Sequence, residues 1–82
     1  MYFVYILKNK INTQLYKGIT NDLDRRIIEH NLGKHKYTAA FRPWEIIYFE
    51  EYQTLKEARI RELYFKSGSG RELLKTILKQ SI

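Results

Sequence analysis

Four kinds of side chain in this sequence stand at spacings that could do chemistry together. On a helix, Leu55, Ala58, Glu62 and Phe65 would line one face, which places a single carboxylate inside an otherwise apolar row. A buried carboxylate without a partner is costly. Glu62 therefore calls for a counter-charge, either a metal ion or a nearby cation such as Arg59 or Lys66. Arg26 and His30 are four residues apart and flank Leu23 and Ile27, so on a helix they border a core-facing stripe. An arginine there can grip a phosphate with its planar fork, and a histidine can move a proton near neutral pH. The competing reading is two solvated residues on a charged helix. Tyr5 and Tyr16 fall on two adjacent strand segments. Their rings either pack, or carry hydroxyls into a polar pocket on the sheet face.

As a set, these residues suit phosphodiester hydrolysis. That reaction needs an activated water, a counter to the charge growing on phosphorus, and help for the leaving oxygen. A divalent metal polarises the phosphate and stabilises the leaving group. An arginine holds the non-bridging oxygens, and a tyrosine or histidine takes the water's proton. Only one carboxylate stands out, which argues against a two-metal mechanism.

The elements that must position these groups follow from local patterning. Tyr2–Leu7 is continuously apolar, aromatic or β-branched, as in a strand buried on both faces. Lys8–Gln14, with Asn9 and Asn12, reads as a hairpin loop, and Leu15–Thr20 as the returning strand. Gly18 within that strand signals a bulge or a close backbone approach. Asn21 starts a helix, with Asp22 and Asp24 at its positive end, which runs to Leu32 and stops at Gly33. Lys34–Arg42 is a basic loop, and after Pro43 a third strand spans Trp44–Tyr52, whose Ile46–Phe49 run suits burial. Thr54–Glu57 and Ser69–Glu72 both match a capping box and predict helices over 55–66 and 70–80, separated by Gly68. The expectation is an α+β fold in the order ββαβαα, as one domain over residues 1–82.

With 82 residues, the chain is near the small end of what folds alone. Seven tyrosines, four phenylalanines and one tryptophan can fill its core. The absence of cysteine excludes disulfide staples and thiolate zinc sites. The apolar start meets Lys8 at once and lacks a basic leader, so it makes a poor signal peptide, and no run is long enough for a membrane span. The expectation is a cytoplasmic protein without membrane partners or a small-molecule cofactor. A net charge of +6 favours polyanions, above all nucleic acid.

These motifs, taken in order, resemble the GIY-YIG nuclease superfamily in its small single-domain bacterial branch. Phe3-Val4-Tyr5-Ile6-Leu7 is similar to the first signature strand, and Tyr16-Lys17-Gly18 with Thr20 to the second. Asp22 to Asn31 resembles the catalytic helix, Arg42-Pro43-Trp44 the entry to the third strand, and Ala58 to Glu62 the metal-binding helix. The resemblance implies a three-stranded antiparallel sheet flanked by helices. It also implies roles: Tyr16 as general base or water positioner, Tyr5 shaping the site, Arg26 stabilising the phosphate, His30 supporting acid–base chemistry. Glu62 would be the sole protein ligand of one Mg²⁺ or Mn²⁺ ion. Phe3 stands where the signature has its first glycine, Lys17 where it has isoleucine, and Ile19 where some members carry lysine. No asparagine matches the one many members place near the metal.

The leading expectation is a metal-dependent endonuclease acting on DNA, with RNA as a further candidate. Lys17, Lys34, Lys36, Tyr37 and Arg42 would track phosphates and stack a base. The competing function class is a non-catalytic nucleic-acid-binding module with the same fold. A third is a subunit whose exposed aromatics dock a targeting protein.

Overall fold

The computed structural model describes residues 1–11 and 14–80. Asn12, counted among the hairpin turn residues, lies outside them. The elements are β1 (Tyr2–Asn9), β2 (Leu15–Thr20), α1 (Leu23–Asn31), α2 (Lys36–Ala39), β3 (Trp44–Tyr52), α3 (Leu55–Lys66) and α4 (Gly68–Gln80). The sheet is three-stranded and antiparallel, in the order β2-β1-β3. The α+β class and the expected succession of elements hold, with one short added helix, α2, inside the segment read as a basic loop.

β1 is central, and its alternation divides the core in two. Val4 and Ile6 pack with Ala58, Phe65 and Leu74, so α3 and α4 cover one face. Tyr5 and Leu7 pack with Trp44, Leu23 and Ile27, so α1 covers the other. The continuous apolar run of β1 is thus the signature of a strand with no solvent face. β3 is an edge strand, so its Ile46–Tyr48 run is only half-buried and Phe49 is exposed, where the sequence suggested burial. A bulge opposite Ile6 and Leu7 pairs them with Tyr48 and Ile46. The extra residue, Ile47, lets Ile46 serve the α1 side while Ile47 and Tyr48 serve the α3 side.

β1 runs two residues further than its apolar pattern. Asn9 N–H donates to the Gln14 carbonyl at 2.8 Å, and the buried Asn9 side chain donates to the Phe41 carbonyl and accepts from Ile11 N–H at 2.7 Å. A polar residue can end a buried strand when its amide is satisfied in this way. The N-cap of α1 is Asp22, which accepts from Arg25 N–H, one residue after the Asn21 inferred from composition. Asn31 is pinned at the other end, accepting from Trp44 N–H at 2.8 Å and donating to the Trp44 carbonyl at 3.0 Å.

The capping box at Thr54 and Glu57 is present. The one inferred at Ser69 is not. Ser67 Oγ accepts from Gly70 N–H at 3.2 Å, so α4 begins at Gly68. The tight α3–α4 joint depends on Gly70, where an added Cβ would lie 1.7 Å from the Tyr64 carbonyl oxygen, whereas one at Gly68 would meet nothing within 4 Å. No helix among the described residues is long and apolar enough to cross a membrane.

We therefore expect Gly70→Ala to destabilise the fold by about 3 kcal/mol or more, since backbone must move. Gly68→Ala should be neutral or gain up to about 1 kcal/mol. Urea unfolding of the two variants checks the contrast.

Candidate hydrolytic site

The site forms where α1 lies across the β1–β2 hairpin. In the register, Tyr5 sits opposite Gly18 and Leu7 opposite Tyr16, so the two tyrosines are diagonal neighbours on the α1 face. Their ring centroids are 6.4 Å apart. A Cβ at position 18 would come within 2.5 Å of the Tyr5 hydroxyl, so the glycine admits the Tyr5 ring over the β2 backbone.

One directed hydrogen-bond chain links three of the anticipated residues. Arg26 Nε–H donates to the Tyr5 hydroxyl at 3.2 Å, and that oxygen lies 2.9 Å from His30 Nε2. His30 Nδ1 lies 2.6 Å from Thr38 Oγ1, whose own proton goes to the His35 carbonyl at 3.4 Å. Thr38 must therefore accept from His30 Nδ1–H, and Nε2 must accept from Tyr5. The imidazole is neutral, with one tautomer fixed by its partners. His30 is fully buried, and burial, reinforced by the positive charge of Arg26 and by the neighbouring His35, pushes it down to about 4. Burial thus lowers its affinity for a second proton below that expected from its residue type, while its Nε2 meets the Tyr5 hydroxyl that Arg26 also contacts. Arg26 itself is 26% exposed and also donates to Glu29 at 3.1 Å.

Tyr16 is the more accessible tyrosine. Its hydroxyl lies 3.1 Å from His35 Nε2. His35 caps α2, its Nδ1 accepting from Thr38 N–H, so Nε2 carries the proton and donates to Tyr16. His35 was not singled out from the sequence. It stands alone between two lysines in a segment without periodicity, and only its place before Lys36-Tyr37-Thr38-Ala39 marked a cap. Tyr37 stacks on Tyr16 with centroids 6.0 Å apart, and Trp44 Nε1 donates to the Thr38 carbonyl at 2.9 Å, which anchors α2 beneath the site.

Burial pushes the Tyr5 hydroxyl up to about 12; the bond and charge of Arg26 act against the rise, while Tyr16 and Glu62 add to it. Tyr16 is also raised by burial, with Arg26 opposing and Glu62 adding. Thus Arg26 from α1 and Glu62 from α3, on opposite faces of the sheet, both act electrostatically on the same two phenols at the β2 edge. The Glu62 side chain is 15% exposed, and Lys66 Nζ lies 3.4 Å from it, one of the cation partners left open by the sequence. That contact is a single long one to a half-exposed lysine, a weak competitor for a metal ion. Among the described residues, no three or more His, Asp or Glu side chains converge as a metal cage. Glu62 could hold an ion only as one ligand, with water and substrate oxygens completing the shell, which fits magnesium or manganese.

The other anticipated cations divide. Lys17, Tyr16, Tyr37 and Lys66 line one recess of about 300 Å³. Lys34 and Lys36 are exposed, and Arg42 folds its guanidinium over Gly33, at the end of α1. Near the Thr20 end of β2, a second recess of about 310 Å³ is lined by Asn21, Arg25, Arg26 and Arg59.

A second half-buried carboxylate, Glu50, carries no signal in the sequence. Glu50 accepts from Arg61 Nε at 2.8 Å and Nη2 at 3.1 Å, from Tyr48 at 2.5 Å and from Tyr52 at 2.7 Å. Burial alone would raise its carboxyl, but these donors outweigh it and hold it below its usual range. Fully partnered, Glu50 ties α3 to β3 and leaves no lone pair facing the tyrosine cluster.

A family model described as the GIY-YIG catalytic domain matches residues 1–75. A UPF0213 protein of Clostridium perfringens is 42% identical over 83 residues, covering 100% of this chain and 88% of the relative. The UPF0213 protein YazA of Bacillus subtilis is 47% identical over 66 residues, covering 79% and 66%. A solution NMR structure of a UPF0213 protein from Bacillus halodurans superposes with a TM-score of 0.56 at 34% identity, covering 94% of this chain and 85% of that one.

The buried neutral imidazole generates a pH dependence. Unfolded, His30 takes a proton near 6.5; folded, only near 4. Its contribution is therefore complete above pH 6.5 and lost as pH falls towards 4, on the order of 3 kcal/mol. The Glu50 contribution is lost only below about 4.5. Urea unfolding across this range should show the slope, and His30→Gln should remove most of it, leaving the smaller share from His35, which burial also lowers.

Proposed function

The chain belongs to the GIY-YIG family, a nuclease superfamily, and from that premise we propose that it is a metal-dependent endonuclease hydrolysing phosphodiester bonds in DNA. The substrates are branched, nicked or single-stranded, and the setting is DNA repair or recombination in the cytoplasm. The supporting observation is the Arg26 guanidinium bonded at 3.2 Å to Tyr5, whose ring neighbours that of Tyr16, beside a recess where Tyr16 meets Lys66, the residue that contacts Glu62.

In this reading the Arg26 guanidinium, its Nε held by Tyr5, presents its remaining donors to the non-bridging oxygens and counters charge as it grows. Tyr16, receiving a hydrogen bond from His35, positions the attacking water with its oxygen. Tyr5 and His30 are buried and act by holding Arg26 in place. Glu62 would hold one Mg²⁺ or Mn²⁺ ion, which supplies Lewis-acid polarisation of the phosphate and stabilisation of the leaving oxygen.

The test is cleavage of labelled branched, single-stranded and duplex DNA, with RNA alongside, in magnesium or manganese. Arg26→Ala and Glu62→Gln should each lower the rate on the order of a hundredfold or more with thermal unfolding nearly unchanged. Wild-type rates in Glu62→Gln would reject Glu62 as the metal ligand. Salt-dependent binding without cleavage by any form would make the domain a binding module instead.

A further inference from the structure

Beyond the tyrosine cluster, the edge of β2 continues into a groove that the sequence did not disclose, because its walls come from β2, α2, α3 and α4. It comprises two adjoining recesses that share Leu15 and Lys17. The first, of about 300 Å³, holds Tyr16, Tyr37 and Lys66 as well. The second, of about 200 Å³, adds Arg71, Leu74, Lys75 and Leu78. Lys17 points to the α3–α4 side of the strand whose Tyr16 points to the α1 side, so the groove wraps around the edge from the proposed reaction centre onto α4.

Its charges are crowded and poorly balanced. Among the described residues, Lys17 and Arg71 make no ion pair with a carboxylate, Lys66 has its single long contact to Glu62, and the Lys75–Glu72 pair is about three-quarters exposed. The Lys17 ammonium is held down by burial and by repulsion from Arg71 and Lys66. Cations forced together beside leucines gain most from an anion that enters between them. The half-exposed Tyr37 ring, supported by Tyr16, offers a stacking face at the mouth of the same groove.

We propose that this groove is a polynucleotide-binding channel: Lys17 and Arg71 contact backbone phosphates on one side of the scissile position, and Tyr37 stacks a base between them and the reaction centre. The channel rests on the reading of DNA as substrate but not on catalysis. Lys66 joins the two, since it borders the channel while touching Glu62.

The experiment is fluorescence anisotropy of short labelled single-stranded and duplex DNA in EDTA, at several salt concentrations, with the Glu62→Gln protein as background so that nothing is cut. Arg71→Gln should weaken binding about tenfold and lower the slope of log affinity against log salt by about one, and Lys17→Gln should do the same. Arg71→Lys should restore most of the affinity, and Tyr37→Ala should weaken binding with the salt slope unchanged. Lys56→Gln, which removes a charge at the other end of α3, should change neither as much. Circular dichroism confirms that each variant is folded. Equal affinity and slope in Arg71→Gln and Lys56→Gln, or no binding of either DNA at low salt, would overturn the channel. Arg71-dependent binding in EDTA, with no cleavage by the wild-type protein in magnesium or manganese, would refute the endonuclease and leave the channel standing; wild-type cleavage with Arg71 irrelevant to binding would do the reverse.

Discussion

Burying an imidazole completely obliges the surroundings to satisfy both of its nitrogens, and in this fold that obligation organises the whole α1 side of the sheet. His30 has one nitrogen on Tyr5 of the central strand and the other on Thr38 of α2. Either bond left unmade would strand a buried polar group at a cost of roughly 1–3 kcal/mol, a sizeable share of the stability of so small a domain. Tyr5 can take this position only because Gly18 leaves room for its ring. Thr38 can take its position only because α2 is anchored by the Trp44 indole and capped by His35. Arg26 then finds the Tyr5 oxygen already oriented, its lone pair turned outward because its proton points to His30.

The two-sided core explains how the site can draw on both helical layers. β1 has no solvent face, so all access is at the sheet edges. The Glu50–Arg61 cluster closes the β3 side with a paired charge and two tyrosine hydroxyls. The Arg61 guanidinium also lies 4.5 Å from the Phe65 ring centroid. The β2 edge is different: it carries Tyr16 and Lys17 on opposite faces, and α1 and α3 approach it from either side. Side chains from both layers reach this edge, as Arg26 of α1 and Arg59 of α3 do in one recess.

The sequence disclosed what local patterning controls. The unbroken apolar run of β1, the Thr54–Glu57 box and the meaning of Gly18 as a close approach were all legible, and so was the pairing of Arg26 with His30 on one helical face. What failed depends on contacts distant in the chain. Ser69 matched a capping pattern, but the turn after α3 brings Ser67 to Gly70 first. His35 acquires its meaning only from Tyr16, nineteen residues earlier. Glu50 was hidden because a charged residue on an edge strand reads as solvent-facing until Arg61 arrives from α3. The residue type of His30 suggests an ordinary proton affinity, whereas its burial lowers it.

The distribution of charge bears on how a lone carboxylate could work. Several acidic side chains are committed to nearby partners: Glu29 to Arg25 and Arg26, Glu50 to Arg61, Glu57 to the Thr54 cap, Glu72 to Lys75. Arg25, Arg26 and Arg59 lie at one end of the β2 edge, and Lys17, Lys66 and Arg71 at the other. A single carboxylate among so many cations is a poor trap for a free divalent ion, which prefers several oxygen ligands and meets repulsion at every approach. A phosphodiester changes both conditions at once, because it neutralises the cations and brings oxygens of its own. In the proposed nuclease, metal and nucleic acid would therefore each favour the other's binding by the same free energy. Lys66, which contacts Glu62 and borders the groove, is the residue through which that coupling would be most directly felt.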